Sequence, residues 1–126
     1  MKLLLAVALG GALGATARYL VVSQVLRLVG GGFPLGTLVV NVLGSFVLGV
    51  LVALMTLKWP MGETFRGFLV VGVLGGFTTF SAFSLDTVLL VERGHLPAAA
   101  VYVLATVILS VGGLFAGLTA CRQLLT

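Results

Sequence analysis

The chain has 126 residues, of which 60% are hydrophobic and only 8% charged, and its mean hydropathy is +1.30. A water-soluble domain of this length needs far more charge to cover its surface, so the composition places the chain in a membrane. The net charge of +4 comes from scattered lysines and arginines with no basic run, which fits anchoring beside anionic lipid and argues against a nucleic-acid partner.

A helix that crosses a bilayer needs about 20 mostly apolar residues. Four segments qualify, 3–26, 33–57, 67–90 and 97–121, and together they predict a single four-helix transmembrane domain over 1–126. The connectors GGGFP at 30–34, KWPMGE at 58–63 and ERGHLP at 92–97 carry the breakers that separate them. No stretch is left for a soluble domain, so any activity must lie within the bilayer. Lys2, the apolar run 3–13 and Ala15-Thr16-Ala17 imitate a secretory signal peptide, but the run continues past Arg18, and we read it as a span. Cys121 and His95 are each alone of their kind, which gives no disulfide and no metal-ligand spacing.

With alternating spans, Lys2, Lys58, Arg66 and Arg122 share one side, and Arg27 and Arg93 share the other, with Arg18 inside the first span. This bias is faint by the positive-inside rule. A chain so evenly weighted can insert both ways, and opposite copies can pair as an antiparallel homodimer. Gly10/Gly14, Gly72/Gly76 and Gly113/Gly117 stand four apart, the spacing that lets membrane helices approach backbone to backbone.

Polar residues form two stripes. Thr37, Asn41 and Ser45 recur every four residues in the second span, and Tyr102, Thr106 and Ser110 do so in the fourth. Serine and threonine can bond back to their own helix carbonyls, which would make the stripes uninformative. Asn41 cannot be satisfied that way, and an unpaired amide at mid-span is costly, so a polar track is expected. The second and fourth spans hold no carboxylate, and Asp86 falls near the end of the third, where it can reach the interface or a base such as Arg93. Neutral O–H and N–H donors with one in-span base, Arg18, suit a small anion. They do not suit a proton-coupled exporter of cations, which needs a mid-span acid.

The weakest helical segment is GVLGGFTTFSAF at 72–83. Gly75 and Gly76 each cost about 1 kcal/mol against alanine, and Thr78 and Thr79 several tenths more, so a break is expected there. Non-helical backbone survives at membrane depth only in protein or beside a polar cavity, and freed carbonyls suit a hard cation such as sodium. Phe80 and Phe83 share a face beyond the break, and ring edges are electropositive.

GGALGATARY at 10–19, GTLVVNVLGSFVLG at 36–49 and GVLGGFTTFSAFSLD at 72–86, followed by the Tyr102/Thr106/Ser110 face, resemble the Fluc (CrcB) family of fluoride ion channels over essentially the whole chain. Thr106 and Ala82 stand where many such proteins are expected to carry serine and threonine. The resemblance implies an all-α, dual-topology antiparallel homodimer in the bacterial inner membrane, not an enzyme, with two pores that pass fluoride passively and so relieve its toxicity. It implies that Phe80 and Phe83 form an aromatic pore lining. Asn41 and Ser110 would be hydrogen-bond donors, Thr37, Tyr102 and Thr106 would extend the track, and Arg18 would lie near a vestibule. It also implies a structural Na⁺ at the dimer interface, held by the main-chain carbonyls of Gly75 and Thr78. A small four-helix multidrug/proton antiporter is the alternative transporter, and an assembly subunit whose glycines serve only packing is the alternative outside transport.

Overall fold

A chain segment in hydrocarbon must satisfy its own N–H and C=O groups, and in the computed structural model, which describes residues 1–126, every apolar run does so as helix. Helix α1 covers Lys2–Val29 and α2 covers Leu35–Leu57. The third span, Glu63–Glu92, is composite. It begins with one α-helical turn, α3 (Glu63–Arg66), widens into a π-helical stretch over Gly67–Leu74, tightens again in α4 (Gly75–Phe77), and resumes after an interruption as α5 (Phe80–Glu92). Helix α6 covers Leu96–Leu125. Four helical units are thus long and apolar enough to cross a membrane, with mean hydropathies of 1.6, 2.5, 1.8 and 2.2. The first, third and fourth units outrun their apolar segments because Lys2, Arg27, Glu63, Arg66, Glu92 and Arg122 sit near their ends, where long side chains reach the headgroups. Gly30 turns the chain from α1 towards α2 at φ 86°, a left-handed value that a side chain would resist.

Glycine sets the packing. Gly10 of α1 and Gly72 of the π-helical stretch meet Cα to Cα: a Cβ on Gly72 would lie 2.8 Å from the Gly10 Cα and 2.9 Å from the Val7 carbonyl. Gly14 backs onto Val73 and Phe77, and Gly76 onto Gly11 and Ala15. These contacts keep α1 and the first half of the third span in parallel register. The second close pair is α2 with α6, where Gly49 meets the Leu114 carbonyl and Gly117 meets the Phe46 carbonyl. Gly113 fits more loosely, 3.4 Å from the Val42 carbonyl. The small buried core joins Phe83 and Leu90 of α5 to Ala99 and Tyr102 of α6. Only 20 residues are buried, and the large exposed apolar surface is what a lipid solvent requires.

Candidate functional site: the interrupted third span and its cleft

The interruption falls on the threonines. Gly75 and Gly76 stay helical, whereas Thr78 (φ −84°, ψ 158°) and Thr79 (φ −154°, ψ 121°) are extended. The break expected within 72–83 is thus found at its two threonines, while Gly76 packs on α1 and Gly75 is exposed beside the cleft.

Asn41 of α2 holds the extended pair in place. Its Oδ1 accepts from the Thr79 backbone N–H at 2.7 Å, and its Nδ2 donates to the Thr79 carbonyl at 3.0 Å. The side-chain amide thus substitutes for a strand neighbour at one residue, and the double contact fixes which end of the amide is oxygen. The Thr79 hydroxyl caps α5 by accepting from Ala82 N–H at 3.1 Å. In an unbroken helix, Thr79 N–H would serve the Gly75 carbonyl and Ala82 N–H the Thr78 carbonyl. Both donors are diverted, so the carbonyls of Gly75 and Thr78 are released. These are the two oxygens that the resemblance nominates for sodium.

A cleft of about 370 Å³ opens beside the interruption. Asn41, Ser45, Gly75, Thr78, Phe80, Phe83, Thr106 and Ser110 all line it, with Leu48, Val107 and Val111 among its apolar walls. No charged residue is present, so the antiporter alternative lacks the acid it would exchange protons on.

The two polar stripes meet across this cleft. Gly49 sits between Leu114 and Leu118, and Gly117 between Phe46 and Val50, so α2 and α6 run together in parallel. In that register Thr37 comes nearest the level of Thr106 and Asn41 that of Ser110, while Ser45 falls opposite Gly113. Elsewhere in the spans hydroxyls bond back to their own helix, as Thr16, Thr56, Ser84 and Thr87 do. On the stripes none does, and the buried hydroxyls of Thr106 and Ser110 have no partner at all. Back-bonding, the uninformative reading, therefore fails for the stripe residues.

Aromatic rings run on from the cleft. Phe80 and Phe83 stand edge to face with centroids 5.3 Å apart, Phe83 lies 5.3 Å from Tyr102, and Tyr102 lies 5.5 Å from Phe33. Phe83 is buried, whereas Phe80 is 77% exposed on the single chain. Tyr102 is wholly buried and donates its hydroxyl to Asp86 Oδ2 at 3.0 Å. Asp86 is therefore engaged inside the bundle by Tyr102, where Arg93 or the interface was expected as its partner. A smaller pocket of about 190 Å³ beyond it is lined by Thr37 and Asp86.

The sequence-derived residues thus divide. Asn41, Phe80, Phe83, Thr106, Ser110, Gly75 and Thr78 share the large cleft, and Thr37 lines the small pocket. Tyr102 stands between the two. Arg18 lines neither; it is half-buried on α1, one turn past Gly14 and so level with the interruption. A family model described as CrcB-like protein, Camphor Resistance (CrcB), matches residues 5–118. The chain belongs to the CrcB-like family. It is 57% identical over 122 residues to a protein of Rhodospirillum centenum named fluoride-specific ion channel FluC, covering 97% of each chain. Proteins of the same name from Cereibacter sphaeroides and Caulobacter sp. are 57% and 50% identical, over 94% and 98% of each chain.

Two features of this CrcB-like site escape a reading of the sequence. One is Thr79, whose backbone and hydroxyl organise the interruption; a threonine before a helical run is a capping signal, but nothing local points from it to Asn41, 38 residues away. The other is the Tyr102–Asp86 bond, which only the packing of α5 on α6 creates.

Proposed function

We propose that this chain conducts fluoride passively and selectively, as a dual-topology antiparallel homodimer with two pores. The observation that carries the reading is the uncharged cleft in which the stripe hydroxyls and the Asn41 amide face two phenylalanine rings. A bare anion leaving water needs donors in place of its hydration shell. Neutral O–H and N–H groups and ring edges supply them without the binding depth of a fixed charge, so the ion can also leave. Asn41 retains a second Nδ2 hydrogen after serving Thr79, and Ser110 and Thr106 have hydroxyls to spare. Tyr102 and Thr37 continue the line towards the small pocket. Arg18, without a partner in its own chain, raises the local anion concentration at the vestibule. The relatives named fluoride-specific ion channels support fluoride as the ion. A negative-inside potential then drives the anion out, worth about 2.3 kcal/mol per charge per 100 mV.

Backbone accounting supports the dimer. The cleft opens to the outside of a single chain, and Gly75, with its released carbonyl, is exposed there beside Phe80. Lipid cannot satisfy a carbonyl, so a second copy covers this face. The carbonyls of Gly75 and Thr78 from both copies are hard oxygen ligands suited to Na⁺, which would supply fixed positive charge between the subunits.

A fluoride electrode outside proteoliposomes tests the function, with chloride efflux as the control. Fluoride should leave at least about a hundredfold faster than chloride, a gap of roughly 2.7 kcal/mol in barrier; silent vesicles or equal rates would overturn the reading. Phe80→Ile and Phe83→Ile should each cut efflux at least about tenfold, roughly 1.4 kcal/mol in barrier, while gel filtration still shows the dimer. Normal efflux from both variants would refute the aromatic lining. Replacing sodium throughout with a large organic cation should weaken the dimer or stop efflux, and indifference to sodium would remove Gly75 and Thr78 from the ion site.

A further inference from the structure

We propose that Gly44 is a positioning residue of the ion site: the space left by its missing side chain receives the Thr78 methyl and so aims the Thr78 carbonyl. The inference rests on the sodium-bridged dimer proposed above and deepens it.

Gly49 and Gly117 let helix backbones touch, whereas Gly44 makes room for a side chain. A Cβ on Gly44 would collide with the Thr78 Cγ2 and stand 3.3 Å from the Phe77 Cδ2. Gly44 is buried and lies three residues after Asn41, on the same side of α2. The third span passes α2 in the opposite direction, so Asn41 grips Thr79, and Gly44, nearly a turn further on, takes Thr78. Two consecutive extended residues are thus held from one helix face, the second by hydrogen bonds and the first by shape.

Thr78 suits this kind of hold. Its hydroxyl donates to the Leu74 carbonyl at 2.9 Å, which pins χ1 and with it the direction of the methyl. A β-branched side chain has little torsional freedom left after that. The methyl in its notch therefore fixes the Cβ, and through it the backbone that leaves α4 at φ −84° and ψ 158°. The direction of the Thr78 carbonyl is set by that ψ. Asn41 bonds only to Thr79, so the notch at Gly44 is what holds the preceding peptide.

Full-length Gly44→Ala, Thr78→Ser and the double variant test this through two readouts. One is fluoride efflux from proteoliposomes; the other is dimer content by light scattering while sodium is exchanged for choline at constant ionic strength. Gly44→Ala should raise the sodium needed for half-maximal dimer at least about tenfold and slow efflux in step, an effect within the range of overpacked contacts. Thr78→Ser keeps the hydroxyl and the carbonyl but empties the notch, and should raise that sodium midpoint about fourfold, the worth of one buried methyl. The double variant returns a methyl to the notch from the other helix. It should need less sodium and conduct faster than Gly44→Ala alone, a recovery that only a contact between the two residues produces. Thr78→Ser should give no such relief to Gly49→Ala, whose clash is with the Leu114 carbonyl. Where Gly44→Ala forms no dimer at any sodium concentration, the recovery is read in the double variant and the sodium shift in Thr78→Ser. Wild-type sodium dependence in Gly44→Ala, an unshifted midpoint in Thr78→Ser, or a double variant no better than Gly44→Ala would overturn the role of Gly44 while the channel reading stands. Wild-type vesicles that pass no fluoride would instead sink the channel reading, and this inference with it.

Discussion

Asn41→Ala should abolish fluoride efflux and disperse the dimer, the largest functional loss expected from any single side chain here. The substitution removes two buried hydrogen bonds at once, at 2.7 and 3.0 Å, and leaves the Thr79 N–H and C=O without partners. Each buried group left unsatisfied costs about 1–3 kcal/mol, so the extended conformation loses roughly 2–6 kcal/mol. The chain has a cheap escape. Thr79 N–H can return to the Gly75 carbonyl and extend α4 through the interruption, which turns Phe80 and Phe83 out of register and withdraws an oxygen from the ion site. Asn41→Asp should fail differently. It keeps an acceptor for Thr79 N–H but loses the donor to the Thr79 carbonyl and adds negative charge to the anion's path, so dimer survives in part while efflux falls. Efflux measured beside gel filtration separates the two variants. An Asn41→Ala protein that conducts above half the wild-type rate would show that the amide neither holds the interruption nor serves the ion.

Hydropathy made the four spans legible in the sequence, because in hydrocarbon a long apolar run has few alternatives to helix. The stripes were legible too, since residues at every fourth position share a face whatever the tertiary structure. What the residues alone could not yield was which structural job each member of a weak segment performs. Gly75, Gly76, Thr78 and Thr79 all lower helix propensity, and propensity sums do not distinguish them. The structure does: Gly76 is spent on α1, Gly75 on open space, and the interruption falls where an acceptor and a donor on another helix are waiting. The partner of Asp86 was hidden for the same reason. Arg93 is near it in sequence and Tyr102 is not, but a buried phenol within reach removes the need to leave the bundle. Local signals thus marked the candidate residues, and contacts between distant residues showed what each of them touches.

The neighbouring glycines give the sharpest separation between folding of one chain and pairing of two. Gly76→Leu should fail to fold as a bundle. Its Cβ alone would stand 2.8 Å from the Gly11 carbonyl and 3.1 Å from the Ala15 nitrogen, both backbone atoms of α1 that no rotamer can move aside. Overpacking of this kind costs about 1–3 kcal/mol where side chains can yield, and more where they cannot. Separating α1 from the third span would also forfeit the Gly10–Gly72 contact. Gly75→Leu meets nothing of the sort, since its Cβ has only the Val70 carbonyl nearby, at 3.6 Å, and the position is exposed on the single chain. A Gly75→Leu chain should therefore insert and fold with wild-type helicity and protease resistance, yet run as a monomer and pass no fluoride, because the added side chain stands where the second copy must close. Circular dichroism, limited proteolysis and light scattering in detergent read the two outcomes separately. A Gly75→Leu protein that still dimerises and conducts would mean that this face meets lipid, and the argument from released carbonyls to a paired, ion-bridged channel would fall with it.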